Sequence, residues 1–354
     1  MFYKTFILLS LLPIFAWSNI QADQNQDYEK YHREVIKAEV FITSENYTGA
    51  LLIYEGLFKN YDFIFLREYQ IATQLALHLK DEQKARQYLK QGILAGWKIK
   101  SIRSNSFLSK FRDDKEWKAI KKDYKILRPQ YESSYDNNLR KQVKKMFSRD
   151  QWKAIRALFT FSSDAQDRYA EKKFAPHSEQ QIAELLKILE EYGYPGEKLI
   201  GNNFWMSTIL SHHNSISQEY AEKDTLYLNL KPKLKQALKE GQMSPFEYAL
   251  IDEWYRSTTS NGFESGGYGF LDPPSPSELS KFNALRQIIY LRPIEVRNKL
   301  VDIQEKTGMN FYLPGNPWVK GRIKIKPAKR SSSDTTHTKR PTEQPSNKKP
   351  LQQR

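Results

Sequence analysis

Two adjacent histidines, His212 and His213, are the residues of this sequence best suited to acid–base or metal chemistry. They extend the apolar face of a predicted helix, three residues after Ile209 and Leu210 respectively. Imidazole gains and loses a proton near neutral pH more readily than any other side chain. Adjacent helical side chains point about 100° apart, so the pair alone cannot chelate one ion as an i,i+4 pair does. A site built on them therefore requires carboxylates from other elements.

Asp150 and Asp252 are the carboxylates that we expect to complete such a site. Asp150 lies in a helical run that begins near residue 139, where an acid is an unusual packing choice. Asp252 follows Tyr248 by four residues, so the two share one helical face. Three residues beside these positions are binding candidates: Gln151, Arg156 and Tyr248. For the histidines the structural alternative is hydrogen-bonded side chains at a core boundary. Asp150 is interpreted either as the partner of Arg156 or of a histidine, or as part of a buried ion pair that fixes helix register.

Other catalytic signatures are absent from the sequence. The chain has no cysteine, which excludes thiolate metal sites, Fe–S clusters, disulfides and cysteine nucleophiles. No GxSxG elbow is present, and the Gly-rich loop at 260–275 lacks the Lys-Ser/Thr ending of a phosphate-binding loop. That loop is interpreted as a mobile lid or a simple connection. We expect no cofactor, and His212 and His213 remain the only candidate metal ligands.

The residues named above are predicted to lie on helices. At the front of the chain, the helices are predicted to form a repeat. Ala38 and Ala50 are twelve residues apart around a polar turn at 44–46, as expected for two helices in close contact. Ala85 follows Ala50 by 35 residues, so the unit recurs. This spacing resembles the tetratricopeptide repeat over residues 30–95, and the resemblance implies stacked helical hairpins. The apolar residues of 106–131 predict a third, capping pair.

The back of the chain is predicted to form a second helical domain. Capping signatures at Ser178, Ser244 and Ser275 indicate helix starts. Pro293 is expected to open the last helix and Gly308 to end it. No segment sustains the period-two alternation of a strand, so the sequence predicts an all-α fold.

Four short motifs follow one another in this region: RDQ at 149–151, YGYPG at 192–196, HH at 212–213 and YALID at 248–252. Their order and spacing resemble a widespread bacterial domain of unknown function over residues 136–312. That family is often exported and often follows tetratricopeptide-like helices. The resemblance implies a helical fold and no established activity. The sequence departs from the family pattern at two places. Arg156 lies slightly further from the Asp-Gln pair than the arginine of the family does, and the loop at 266–270 reads GGYGF.

The first 22 residues have the form of a secretory signal peptide. Lys4 precedes an apolar stretch at 6–17, which is too short for a membrane core that needs about 20 residues. We therefore expect export to the periplasm or the extracellular space, with no transmembrane span after cleavage.

Most of the positive charge lies at the other end of the chain. Of the formal net charge of +15, +9 belongs to residues 319–354, which hold eleven Lys or Arg and two Asp or Glu. This Ser-, Thr-, Pro- and Lys-rich composition predicts a disordered basic tail. An anionic envelope polymer or lipid is its candidate ligand. Because no aromatic residue follows Trp318, the tail offers no stacking platform, and we expect no specific nucleic acid.

Four segments result: a signal peptide (1–22), a tetratricopeptide-like domain (23–130), a second helical domain (136–318) and the tail (319–354). The leading hypothesis is an interaction or scaffold protein of the cell envelope that binds an unknown protein partner through its repeats. The alternative is a hydrolase-like or metal-assisted enzyme with a site at His212, His213, Asp150 and Asp252.

Overall fold

A computed structural model describes residues 26–158, 165, 168–260, 267–313 and 321–327. All regular elements in these ranges are helices, so the prediction of an all-α fold is confirmed for the described part of the chain. None of these helices is both long and apolar enough to cross a membrane. The predicted signal peptide and the tail beyond residue 327 lie outside the described residues.

Two helical hairpins form the front of the molecule: α1 (Tyr28–Thr43) with α2 (Tyr47–Asn60), and α3 (Leu66–His78) with α4 (Glu82–Leu94). The small residues that define the repeat, Ala38, Ala50 and Ala85, are fully buried. The turns are equivalent as well. Glu45 and Lys80, 35 residues apart, both adopt left-handed backbone conformations, and each is followed by a capping residue for the next helix. The packed pairs are therefore compatible with helical repeats.

The third pair, predicted at residues 106–131, is irregular. A short helix, α5 (Ile99–Ser104), and a 3₁₀ turn at Ser106–Arg112 precede the long helix α6 (Asp114–Ser133). Leu108, Phe111 and Ile120 join the front core, and α6 packs on α4. Pro129 lies inside α6, which continues past it to Ser133.

Nine helices make up the rest of the described chain. They are α7 (Asn137–Leu158), α8 (Ala175–Glu191), α9 (Glu197–Ile200), α10 (Trp205–Asn214), α11 (Gln218–Lys223), α12 (Leu226–Lys239), α13 (Pro245–Thr259), α14 (Leu279–Ile288) and α15 (Ile294–Thr307). Their apolar faces form a second core centred on α10, which packs against α7, α8 and α13. Because α10 carries the two histidines, this core positions the predicted site.

The helix-boundary predictions at Ser244, Pro293 and Gly308 are confirmed, whereas Ser275 does not cap a helix, because α14 begins at Leu279 with Glu278 as its N-cap. The Ser244 side chain accepts from the Glu247 N–H at the start of α13, and Gly308, in a left-handed conformation, ends α15. The capping prediction for Ser178 is wrong. Helix α8 begins at Ala175, directly after a π-helical turn at Ala170–Phe174, so Ser178 and Gln181 lie inside it and are buried. A Ser followed by a Gln three residues later is thus not specific for a helix start.

The end of the chain returns to the front core. Helix α15 packs on α1, and Leu300, Ile303, Met309 and Phe311 are buried among the residues of the first hairpins. The Gln74 side chain hydrogen-bonds both the N–H and the C=O of Asn310, each at 2.7 Å. The last helix of the predicted second domain therefore completes the core of the predicted first domain.

The first part of the predicted tail is ordered. Residues 321–327 lie along α15, where Asn298 exchanges two hydrogen bonds with the backbone of Ile323, at 2.8 and 2.9 Å. Ile323 is 2% exposed. Residues 321–327 of the predicted tail therefore lie against the second core, because Ile323, an apolar residue between the basic ones, is buried in it.

Candidate functional site

His212 and Asp150 are brought together as a dyad. Helices α10 and α7 pack against each other and place His212 Nδ1 2.6 Å from Asp150 Oδ2. Asp150 is fully buried, whereas the His212 side chain is 31% exposed. Gln151 donates to the same carboxylate oxygen at 3.2 Å, and the other oxygen, Oδ1, has no hydrogen-bond partner among the described residues. A carboxylate that orients an exposed imidazole is the arrangement used by general bases.

His213 belongs to a different, buried chain of hydrogen bonds. Its Nδ1 lies 2.9 Å from the Ser178 hydroxyl and its Nε2 lies 3.2 Å from Asp224 Oδ2. Burial opposes ionisation of Asp224, but His213 and two backbone N–H groups lower the pKa of this carboxyl below its ordinary value. Ser178 and His213 are at most 1% exposed, so this Ser-His-Asp series connects helices inside the core and does not face a substrate.

Asp252 is the centre of a third polar cluster. Its carboxylate accepts hydrogen bonds from the hydroxyls of Tyr227 and Tyr268, at 2.8 and 2.9 Å. Lys231 and Arg256 contact it at 2.6 and 2.7 Å. Burial opposes ionisation, but these two cations lower the pKa of Asp252. Both oxygens of this carboxylate are therefore held by buried hydrogen bonds and ion pairs that join helices within the core.

The remaining binding candidates do not share one site. Arg156 is exposed on the last part of α7. Tyr248 is buried on α13, its hydroxyl has no hydrogen-bond partner among the described residues, and burial raises its pKa well above the ordinary value. Of the four catalytic candidates, the structure joins Asp150 with His212 and places His213 and Asp252 in separate networks. No three potential metal ligands cluster within the part of the chain described.

A cluster that the sequence did not predict lies where the front and back halves meet. Glu39 of α1 is fully buried and binds two arginines: Arg67 of α3 at 2.7 Å and Arg292 at 2.5 Å. Although burial opposes ionisation, the two guanidinium groups lower the pKa of Glu39. Arg67 Nε also donates to the carbonyl of Phe311, so this cluster links three distant parts of the chain.

Two further carboxyl groups flank this cluster. Burial raises the pKa of Glu68 from 4.5 to about 7 and that of Glu197 to about 8. Glu68 is 4% exposed, and its Oε2 has no hydrogen-bond partner among the described residues. Glu197 accepts the Leu66 N–H at 2.7 Å. Strongly perturbed carboxyl groups beside a cavity are typical of functional sites, although structural networks can produce them too.

Two cavities meet at Glu197. An outer cavity of about 290 Å³ is lined by Phe63, Tyr69, Tyr131 and Tyr135 among others, and an inner cavity of about 210 Å³ by Val35, Phe65, Glu68, Phe246 and Leu291 among others. Glu197 contributes to both linings. The YGYPG motif ends one residue before Glu197. The motif therefore lies beside the two cavities, but it did not identify Glu197 as a candidate residue.

A separate open groove lies between α2 and α4. It encloses about 490 Å³, and its walls include Glu55, Phe58, Lys59, Lys84, Gln87 and Tyr88. The Glu55 carboxylate receives hydrogen bonds from Lys84 and Tyr88 at 2.7 and 2.6 Å, which fixes the middle of the groove. We refer to it below as the α2/α4 groove.

The chain has no match in three comparisons: no known protein family, no curated protein and no solved structure is similar to it. What the fold itself establishes is a class, an all-helical protein whose packed helix pairs are compatible with helical repeats.

Proposed function

We propose that this protein is an exported interaction or scaffold module of the cell envelope, and that its partner docks in the α2/α4 groove. The observation that carries the proposal is the arrangement of the hairpins. The chain's own residues 294–313 pack on α1 and α3, and α6 packs on α4, so the open groove between α2 and α4 is the part of the opposite face left for another protein.

The groove suits a polypeptide segment of mixed character. Phe58 stacks on Tyr69 with ring centroids 4.5 Å apart and lies near Tyr88, which gives the groove an aromatic floor. Its rim carries Lys59 and Gln87, both exposed. An aromatic centre with a polar rim is the usual anatomy of a protein interface. The same proposal includes the two family resemblances: the front hairpins belong to the tetratricopeptide family, and the back helices belong to the bacterial domain family of unknown function.

Site-specific photocrosslinking tests the location of this interface. A photoreactive amino acid at Lys59 or Gln87 should form a discrete crosslinked product with one partner in the native envelope. The same probe at Lys125, exposed on α6, is the control and should not form that product. If the crosslinks from Lys125 match those from Gln87, or if capture survives deletion of residues 23–130, the interface is not in the front hairpins.

A second candidate function is acid–base catalysis, and the His212–Asp150 dyad is the observation that favours it. The experiment is a screen of ester and glycoside substrates with the wild-type chain and with His212→Gln and Asp150→Asn. Catalysis requires an activity that both variants reduce by a factor of 10² or more, the range that general acid–base groups contribute. An activity that is unchanged in both variants would exclude the dyad as its source.

A further inference from the structure

The junction between the front and back halves contains two carboxyl groups with little cationic compensation: among the described residues no cation acts on Glu197, and Glu68 has one long ion pair, to Arg67 at 3.8 Å. Glu197 is held by one hydrogen bond, from the Leu66 N–H, and the described charges that act on it are those of Glu68 and Glu247, both acidic. Glu68 is more than nine-tenths buried, lines the inner cavity and leaves Oε2 unpaired among the described residues. A buried carboxyl oxygen without a hydrogen-bond partner, such as Glu68 Oε2, is costly, so its retention needs a reason. Glu197 is half-buried at the cavity wall.

The nearby cations are already engaged. Arg67 and Arg292 both bind Glu39, and Arg67 also donates to a backbone carbonyl. Arg67 approaches Glu68 only at 3.8 Å. Lys198 lies 5.6 Å from the ring centre of Tyr28. The network therefore supplies no close cation for Glu197.

The cavity walls favour an organic cation over a metal ion. The outer cavity is lined by three tyrosines and a phenylalanine, and aromatic rings attract ammonium groups. Arginines already lie over two of these rings, Tyr131 and Tyr135, so Tyr69 and Phe63 are the rings left for a ligand. The inner cavity is largely apolar beyond its charged end, and its volume of about 210 Å³ equals that of about seven waters at ~30 Å³ each. Hard metal ions need six or more oxygen ligands, whereas two carboxyl groups and aromatic rings suit an ammonium on a short apolar body.

We propose that the junction between the two halves binds a small organic cation, with its ammonium group on Glu197 and its apolar body in the inner cavity. Glu68 provides the second carboxyl group. Neither residue is part of the α2/α4 groove, so this site is independent of the proposed protein interface.

Binding of such a cation should release protons. Because the pKa of Glu68 is raised to about 7 and that of Glu197 to about 8, a fraction of each carboxyl group is protonated in the empty site near neutral pH, and a bound ammonium favours their ionised forms. The other ionisable side chains that line the two cavities are His32, Arg67, Arg292, Lys198, Asp62 and five tyrosines, Tyr69, Tyr131, Tyr135, Tyr290 and Tyr312. Glu39 also acts on Glu68, and Glu247 on Glu197. His32 does not add positive charge at neutral pH, because burial lowers its pKa to about 4. Affinity for the cation should therefore rise between pH 6 and pH 9.

Isothermal titration calorimetry of the full chain with pentylammonium, pentanol and pentanoate tests the proposal. These probes share one apolar body and differ in charge. We expect saturable binding of pentylammonium only, tighter at pH 8.5 than at pH 6, with heats that depend on the ionisation enthalpy of the buffer because protons are released.

Variants separate this site from generic charge attraction. Glu197→Gln should weaken pentylammonium binding at least tenfold, and Glu68→Gln should weaken it and reduce proton release. Glu55→Gln, which removes a carboxylate from the α2/α4 groove, is the matched control and should bind as the wild type does. Circular dichroism checks that each variant folds. If Glu197→Gln does not fold, the affinity of Glu68→Gln for pentylammonium is the deciding measurement. Tighter binding of pentanoate, which would indicate an anion site at the arginines, overturns the proposal. The proposal is also overturned if pentylammonium does not bind, or if the folded variants bind it with full affinity.

Discussion

The burial of Glu68 predicts that part of the stability of this protein is lost as the pH rises through neutrality. In the folded state burial raises the pKa of Glu68 from 4.5 to about 7. The folded state therefore holds the proton more tightly than the unfolded chain does. This contribution to stability is fully present below about pH 4.5 and is lost as the pH rises to about 7.

The size of the effect follows from the shift. A difference of about 2.5 pKa units corresponds to about 3.4 kcal/mol in total, at 1.36 kcal/mol per unit. About 2.5 kcal/mol of this falls between pH 5 and pH 8, because deprotonation of the unfolded chain has already begun at pH 5. Glu68→Gln replaces the group by a neutral one of the same shape and removes this dependence.

Urea unfolding followed by circular dichroism measures the effect. We expect the free energy of unfolding of the wild type to fall between pH 5 and pH 8 by about 2.5 kcal/mol more than that of Glu68→Gln. Glu222→Gln, at an exposed glutamate of α11, is the control and should leave the pH dependence unchanged. Equal pH dependence of Glu68→Gln and the wild type would refute the reasoning. A reversed difference would mean that Glu68 is ionised in the folded state and paired with Arg67.

Three further predictions concern stability. Asn298→Ala removes two hydrogen bonds to residues 321–327 and should cost about 1–3 kcal/mol, detectable as faster proteolysis within that segment. Gly201→Ala should lower the melting temperature, because φ is +72° and a Cβ would lie 2.5 Å from a phenol oxygen. Gly56→Ala is the control and should not lower it, because Gly56 lies in a helix and a Cβ there would contact nothing. Asp150→Ala should destabilise the protein by about 1–3 kcal/mol in urea, and Asp150→Asn by less, because the amide retains an acceptor.

The local features of the fold could be predicted from the sequence. Ala38, Ala50 and Ala85 identified the hairpins because close helix contact requires small residues at fixed spacing, and these three are fully buried. Ser244 and Gly308 identified helix ends because capping depends on residues within one turn. The dyad was predicted in part, since Asp150 and His212 were named and are in contact.

The junction could not be predicted in the same way. Glu39 and Arg292 are 253 positions apart, and Gln74 and Asn310 are 236 apart. No periodicity or capping rule connects such residues, because their contact depends on how complete helices pack. Ser178 shows the converse problem. A local signature was present, but the packing of α8 against α10 made it a hydrogen-bond partner of His213 inside a helix.

The return of the last helix to the first hairpins has a consequence for how the chain folds. Leu300, Ile303, Met309 and Phe311 complete a core whose other members come from residues 28–120, so the first part to be synthesised lacks part of its interior until the end has emerged. Contacts of such long sequence separation slow folding and leave apolar surface open in the meantime. The front hairpins should therefore remain only partly folded on a growing chain, and a chain truncated before residue 294 should aggregate where the complete one does not.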